Sequence, residues 1–586
     1  MCGIYLRLGG KADFDDSAME VIRRRGPNAH GLFNIPNGVI GHSRLSILDL
    51  DPRSDQPMKR GSVVISFNGE IYNFRALKMT LKGAGYEFTT NSDTEVIINA
   101  YLHWGKDFVL HLNGMFAIII YDERVNKIHF ARDRFGQKPV YYGFNGDGII
   151  IGSDLRQIPK KIRGEVSDNS VVEFLKYKYV RGNETIFSNI FRLTPGNIAT
   201  FDIETRGLQI EQYYCLQNRA EKSVQPPDLQ ELGNELQRSV QKRMVADVPL
   251  GVFLSGGIDS SLVAYYASKI SESKLQTFSI GFDNKDFDES IFAERVARKL
   301  NTNHSTFLLT AEKVSDEIED FVLAYDEPFA DSSALATMAL CKHTSASVTV
   351  ALSGDGADEF FLGYNRYLKS RYRSKHLITK MPIFSKHLIP QHPRTSLIKR
   401  LIGAENEIYA YDLSIQDSKV FEVLNEESTY DKLPEVKSRY DLDIFTYLPY
   451  DINYKIDRAS MYHSLEVRSP FLDHDLVEFS RKYSLADLTN KENGKLPLRE
   501  LAYKLLGREL MERPKSGFSV PIGQWIRTKW SDQFYDFVTD DFLNGLLVLD
   551  VSRTKDMIQR HMDGEKDYSS FMWKLMVLAI WKVKNV

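Results

Sequence analysis

The first two hundred residues alternate short apolar runs with turn residues. Runs at Val39 to Leu48, Ser62 to Phe67, Met115 to Tyr121, Lys127 to Ala131 and Ile149 to Gly152 have the length of strands, and Tyr121-Asp-Glu-Arg-Val-Asn126 reads as a hairpin between two of them. Two helical patterns interrupt, at Asn73 to Gly83 and Asp93 to Trp104, the second opened by a capping-box signature from Ser92 and Glu95. Together they predict antiparallel sheet with helices. After a polar stretch, Gln217 to Asp228 with Pro226-Pro227, the rhythm changes. Apolar runs at Val248 to Leu254, Leu275 to Phe282, His304 to Leu309 and Ser347 to Ser353 alternate with helical segments at Ser260 to Ile270, Asp288 to Leu300, Glu312 to Tyr325 and Ser332 to Thr344. Such alternation predicts a doubly wound parallel sheet. From about Tyr367 the pattern is mostly helical, with loops around Pro390 to Pro393 and Lys491 to Pro497.

Composition narrows the function classes. Lys+Arg at 75 against Asp+Glu at 78 leaves a net charge of -3, which argues against a nucleic-acid binder relying on a basic field. No apolar run approaches the ~20 residues that span a bilayer, so no membrane span is predicted. Arg7, Lys11 and Asp13 come too early for a secretory signal, which makes the cytoplasm the default location. The cysteines are Cys2, Cys215 and Cys341, with no C-x-x-C pair, so neither a disulfide framework nor a zinc site is expected.

Chemistry concentrates in three places. Leu254-Ser-Gly-Gly-Ile-Asp-Ser-Ser261 follows an apolar strand and opens a helix, a turn that aims backbone N–H groups and hydroxyls at one spot and suits a phosphate. It is neither a Walker A loop nor a G-x-G-x-x-G turn. Asp259 can hold magnesium against pyrophosphate oxygens. Leu352-Ser-Gly-Asp-Gly-Ala-Asp-Glu359 also ends an apolar strand, and loops at the carboxyl ends of such strands share one crevice, so Asp355 and Asp358 can face the first turn. Cys2 becomes the first residue once Met1 is removed, which places a thiol beside an amine able to take its proton near neutral pH.

The company of Cys2 raises its standing: Arg25-Gly-Pro27, His42 to Asp49, Gln56-Pro57, Phe67-Asn-Gly-Glu-Ile-Tyr-Asn73 and Ser92-Asp-Thr-Glu95. With Ala131-Arg-Asp-Arg-Phe-Gly-Gln-Lys-Pro139 and the Ser-Gly-Gly turn in order, nearly the whole chain resembles the glutamine-hydrolysing asparagine synthetases. The resemblance implies an α+β, Ntn-type class II glutamine amidotransferase domain over residues 1–215. An α/β doubly wound, adenine-nucleotide hydrolase-like synthetase domain with a helical C-terminal portion would follow over 216–586. It further implies Cys2 as nucleophile, Asn68 and the Gly69 N–H in the oxyanion hole, and Arg44, Asn68, Glu70 and Asp93 around glutamine.

In the second domain it implies Leu254, Ser255, Gly256, Gly257, Asp259, Ser260, Ile280, Ser353 and Gly354 around ATP. Asp259 and Asp358 would hold Mg2+, and Lys495, in Lys-Leu-Pro-Leu-Arg499, would stabilise charge during adenylation. Asp355 stands where many of these enzymes carry Glu, which leaves its catalytic role open. The expected partners are glutamine and a carboxylate acceptor, with ammonia passing internally between two sites; a homodimer stays open.

Aspartate is the expected acceptor. Asp326 to Ser333, Arg458-Ala-Ser-Met461 and Arg513 to Phe518 resemble a bacterial branch that also holds enzymes amidating nucleotide-sugar uronic acids for surface polysaccharide, so that acceptor stays in play. A catalytically silent regulatory homologue is the alternative from another class; Cys2, Asp259 and Asp358 together argue against it.

Overall fold

A computed structural model describes residues 2–10, 15–220, 226–282, 288–368, 371, 416–425, 438–512 and 520–586. The segments Pro390 to Pro393 and Arg513 to Phe518 lie outside the described residues.

The N-terminal part contains β1 (Gly3–Leu8), β2 (Ala29–Ile35), β3 (Gly38–Arg44), β4 (Met58–Arg60), β5 (Val63–Ile71), β6 (Gly114–Asp122), β7 (Lys127–Arg132), β8 (Tyr141–Asn145), β9 (Gly148–Gly152), β10 (Ile190–Arg192), β11 (Asn197–Asp202) and β12 (Leu208–Gln212). They form two six-stranded antiparallel sheets, β10-β8-β9-β1-β3-β2 and β12-β11-β7-β6-β5-β4. Strand β6 explains how these stack. Ala117, Ile119 and Tyr121 face the first sheet, whereas Phe116, Ile118 and Ile120 face the helices Phe74–Gly83 and Asp93–Trp104. Period-two alternation with both faces covered turns the sequence pattern into an unbroken apolar run. The outer face of the first sheet, through Tyr5, Val39, Tyr141 and Ile150, meets the helix Asp168–Tyr177.

Two expectations are adjusted. Strand β3 stops at Arg44, and Leu45 to Leu48 leave the sheet. Ser92 caps its helix by accepting from the Glu95 N–H, but the Glu95 carboxylate accepts from Thr89 and Thr90 N–H, so no reciprocal capping box forms.

Strands β13 (Leu250–Phe253), β14 (Gln276–Phe282), β15 (Asn303–Leu309), β16 (Val350–Leu352) and β17 (Glu466–Arg468) build a parallel sheet in the order β15-β14-β13-β16-β17. Helices Leu229–Arg243, Ile258–Ile270 and Ser290–Leu300 cover one face; Ser333–Ser345 and Asn453–Tyr462 cover the other. The fifth strand sits inside a region whose pattern reads as helical, because three residues are too few to show a period. Strand order reverses between β13 and β16, and a doubly wound sheet opens its binding crevice at that point. No helix among the described residues is long and apolar enough to cross a membrane.

The two parts share a seam rather than a tether. One hydrophobic core runs from Tyr5 and Tyr141 of the first sheet to Phe278 of β14 and Trp581 of the helix Ser569–Asn585. Charges are buried along it. The Arg25 guanidinium grips the Asp457 carboxylate with bonds of 2.8 and 3.1 Å, Lys138 stands 3.5 Å from the same carboxylate, and Arg192 pairs with Glu327. Removing one member of a buried pair strands the other, at a cost of about 3–5 kcal/mol, while an apolar pair of similar volume restores most of it. Arg192→Met should therefore lower the urea-unfolding midpoint by that equivalent, and Arg192→Met with Glu327→Leu should recover most of the loss. A single variant with the wild-type midpoint would show that the pair contributes nothing to joining the parts.

Candidate functional site

Two sites emerge. The first is a small pocket lined by Cys2, Arg44, Gln56, Gly69, Glu70 and Asp93 together with Glu466. Asn68 adjoins it: its side-chain carbonyl accepts from the Cys2 N–H at 3.0 Å, while its buried Nδ2 has no partner among the described residues. An unmet buried donor beside a thiol is the arrangement an oxyanion requires, since such a donor costs free energy until an acceptor arrives. Gly69 cannot be replaced here, because a Cβ would lie 2.0 Å from the Met115 carbonyl oxygen on the neighbouring strand β6. Cys2 is fixed from behind, where Arg25 Nε donates to its carbonyl oxygen at 3.0 Å.

The electrostatics of the pocket follow from burial. Burial pushes the Cys2 thiol up, so it is neutral at neutral pH and must give its proton to a base as it attacks. Burial likewise raises Glu70, against the pull of Arg468, whose Nη2 lies 2.9 Å from its Oε2. Asp93 is pushed up to about 6 by burial, despite accepting the Ile71 N–H at 3.0 Å. Arg44 lines the pocket with its donors engaged by the Leu48, Asp49 and Asp51 carbonyls and by Asp55 at 2.7 Å. A substrate carboxylate approaching Arg44 competes with the half-exposed Asp55.

The second site is the switch-point cleft, about 270 Å³, lined by Leu254, Ser255, Asp259, Ser260, Ile280, Ser353, Gly354, Asp355 and Asp358 among others. Its floor is two loops pressed together: a Cβ on Gly354 would meet Asp259 Cβ and the Ser260 nitrogen at 3.0 Å. Gly256 and Gly257 shape the first loop. Gly256 has φ +72°, and a Cβ there would lie 2.6 Å from the Phe292 backbone; Gly257 is the N-cap of the helix Ile258–Ile270. Ser260 Oγ accepts from the Ser255 N–H at 3.2 Å, which ties the loop into a ring. Exposed N–H groups at a helix start suit a phosphate.

Lys495 reaches into the cleft from the start of the helix Leu496–Leu506, its Nζ 2.6 Å from Asp259 Oδ2 and 2.8 Å from Asp358 Oδ1. Burial works against its charge, but the two carboxylates outweigh it and raise the ammonium's pKa. The fit of Asp259 and Asp358 to a divalent cation rests on this convergence: their oxygens already meet about one positive charge. Asp355 is half-buried beside them, its carboxyl raised by desolvation.

Two further residues line this cleft that the sequence reading did not assign to it. Lys455 projects from the helix Asn453–Tyr462 to Asp331 at 2.7 Å and Ser333 at 3.0 Å, three residues before the Arg458 motif. Glu359, in the short helix Ala357–Phe360 that follows the second loop, is pushed up to about 7 by burial and then by Asp358, and accepts from Tyr364 Oη at 2.6 Å. Only packing places Lys455 there, whereas Glu359 stands in the loop motif itself.

The family model described as "Asparagine synthase" matches residues 231–583, and "Glutamine amidotransferase domain" matches residues 1–214. "Asparagine synthetase [glutamine-hydrolyzing] 1" of Bacillus subtilis is 30% identical over 97% of this chain and 93% of its own length. A "Putative asparagine synthetase [glutamine-hydrolyzing]" of Mycobacterium tuberculosis is 29% identical over 96% of this chain and 92% of its own. "Amidase chry2" of Gibberella zeae is 25% identical over 94% and 90%.

If the thiol pocket meets the ammonium of glutamine through Asp93, that attraction is lost when the carboxyl is protonated. With Asp93 at about 6, the KM for glutamine should rise as pH falls below 6, by about tenfold per pH unit in the limit of one essential ionisation. Glutamate release measured from pH 5 to 8 checks this. Asp93→Asn should show a high KM with that pH dependence removed, and an unchanged profile in the variant would assign the ionisation elsewhere.

Proposed function

The chain belongs to the asparagine synthase family and is a glutamine-dependent ligase, and on that premise we propose that it makes asparagine from aspartate, glutamine and ATP, releasing glutamate, AMP and pyrophosphate. The observation that carries the reading is that one chain builds both a thiol pocket with an unmet oxyanion donor and a switch-point cleft where Asp259, Asp358 and Lys495 converge.

In the unit of residues 1–215, Cys2 attacks the glutamine side-chain amide. The Asn68 Nδ2 and the Gly69 N–H receive the oxyanion, Glu70 and Asp93 meet the substrate ammonium, and Arg44 meets its carboxylate. Ammonia leaves and the thioester is hydrolysed to glutamate.

In the unit of residues 216–586, the loop from Leu254 to Ser260 cradles the phosphates of ATP, with Ser353 and Gly354 nearby and Ile280 beside the base. Asp259 and Asp358 would hold magnesium, which when bound neutralises pyrophosphate oxygens. The Lys495 ammonium offsets the same charge, and Asp355 lies within the site. The aspartate side-chain carboxylate becomes an acyl-adenylate, and ammonia crossing the interior displaces AMP. Unprotonated ammonia is the nucleophile, so water must be kept from both the ammonia and the adenylate. Reliance on ATP and glutamine fits a cytoplasmic enzyme.

Aspartate is favoured as acceptor by the near full-length relatives named asparagine synthetases. Pyrophosphate release with ATP, magnesium and glutamine should depend on aspartate; release with a nucleotide-sugar uronic acid and none with aspartate would replace the acceptor and keep the ligase. Cys2→Ala should abolish glutamine-driven amidation while ammonium salts still drive pyrophosphate release. Retained glutaminase activity in that variant would remove Cys2 as nucleophile.

A further inference from the structure

The pocket around Cys2 is not made by the N-terminal unit alone. Glu466, on β17 of the parallel sheet, lines it beside Glu70 and Asp93, and its side chain is buried. Arg468, two residues on and on the same face of the strand, is buried completely and committed at every nitrogen. Nε donates to Glu466 at 2.6 Å, Nη2 to Glu70 at 2.9 Å, and Nη1 to the Arg243 and Val245 carbonyls at 2.9 and 2.7 Å. The guanidinium is thus anchored to the synthetase backbone and holds one carboxylate from each unit.

Three carboxylates, Glu70, Asp93 and Glu466, line this one pocket; Arg468 contacts Glu70 and Glu466, and the other lining guanidinium, Arg44, is engaged by Asp55. Carboxylates buried side by side regain their charge when a cation comes to meet them. Resting on the reading of this pocket as the glutamine site, we infer that Glu466 is a glutamine-binding residue supplied by the synthetase unit, facing the substrate's α-ammonium together with Glu70 and Asp93. Arg468 is the positioning residue that sets Glu466 and Glu70 at a fixed separation.

The backbone of the same strand reaches the other site. Leu352 of β16 pairs with Arg468, the Ser353 N–H donates to the Arg468 carbonyl at 2.9 Å, and the Ser353 and Ser469 hydroxyls are 2.8 Å apart. Side chains of β17 therefore close the thiol pocket while its edge holds the loop carrying Ser353 and Gly354. The glutamine pocket is complete only when the parallel sheet is formed.

The test compares hydrolysis of glutamine with that of 4-carbamoylbutanoate, which is glutamine without its α-amino group, by the full chain. A carboxylate that binds the ammonium contributes to the first substrate and not the second. In Glu466→Gln the ratio of kcat/KM for glutamine to that for 4-carbamoylbutanoate should fall about 10- to 100-fold, the loss expected for one charge-assisted hydrogen bond. It should fall mainly through the KM for glutamine. A merely structural role would lower both substrates together and leave the ratio at its wild-type value, and that result overturns the assignment. If Glu466→Gln does not fold, Glu466→Asp, which keeps the charge beside Arg468 and withdraws it from the pocket, is read by the same ratio. Failure of the glutaminase reading itself would appear separately, as glutamate release that survives Cys2→Ala.

Discussion

Buried charge is the constraint on which this structure depends. An ionised side chain taken out of water must meet an opposite charge and hydrogen bonds, or it shifts its proton instead. Along the seam between the antiparallel sandwich and the parallel sheet that requirement is met across the boundary: Arg25 with Asp457, Arg192 with Glu327, and Arg468 with Glu70. Each partner of such a pair is costly alone, so the two parts are held in one relative orientation. The apolar core they share makes the same demand without direction; the ion pairs supply the direction.

The same accounting explains the chemistry. At the switch point, Asp259 and Asp358 share the Lys495 ammonium, so charges of both signs are held side by side in the cleft. In the thiol pocket, burial raises Glu70 and Asp93, and their ionised forms are favoured again when an ammonium enters. Arg25 links these centres mechanically. It holds the Cys2 carbonyl with one nitrogen and, with two others, Asp457 on the helix that also sends Lys455 into the switch-point cleft.

Much of this was legible in the sequence where a local pattern carries a global consequence. The alternating runs announced antiparallel sheet with helices, though not its stacking into two sheets, and the βα rhythm with Ser-Gly-Gly and Ser-Gly-Asp loops at strand ends announced the crevice. What stayed hidden has physical causes. Strand β17 has three residues and no period of its own, and only pairing with β16 makes it a strand. Glu466 and Arg468 sit some four hundred residues from Glu70, so no spacing could join them to Cys2. Lys455 points into the cleft because its helix packs across the sheet, and the start of that helix gives no sign of it. Glu95 fits a capping-box pattern, yet Thr89 and Thr90 offer its carboxylate better-placed donors.

We propose that nitrogen freed at the buried thiol pocket is used at the switch-point cleft without leaving the protein. This is tested most directly by supplying amide-15N glutamine, ATP, magnesium and aspartate together with an excess of unlabelled ammonium salt, and measuring the label in the amide product. The expected product carries mostly 15N despite the unlabelled pool. Product with the isotopic composition of the bulk ammonium would contradict it.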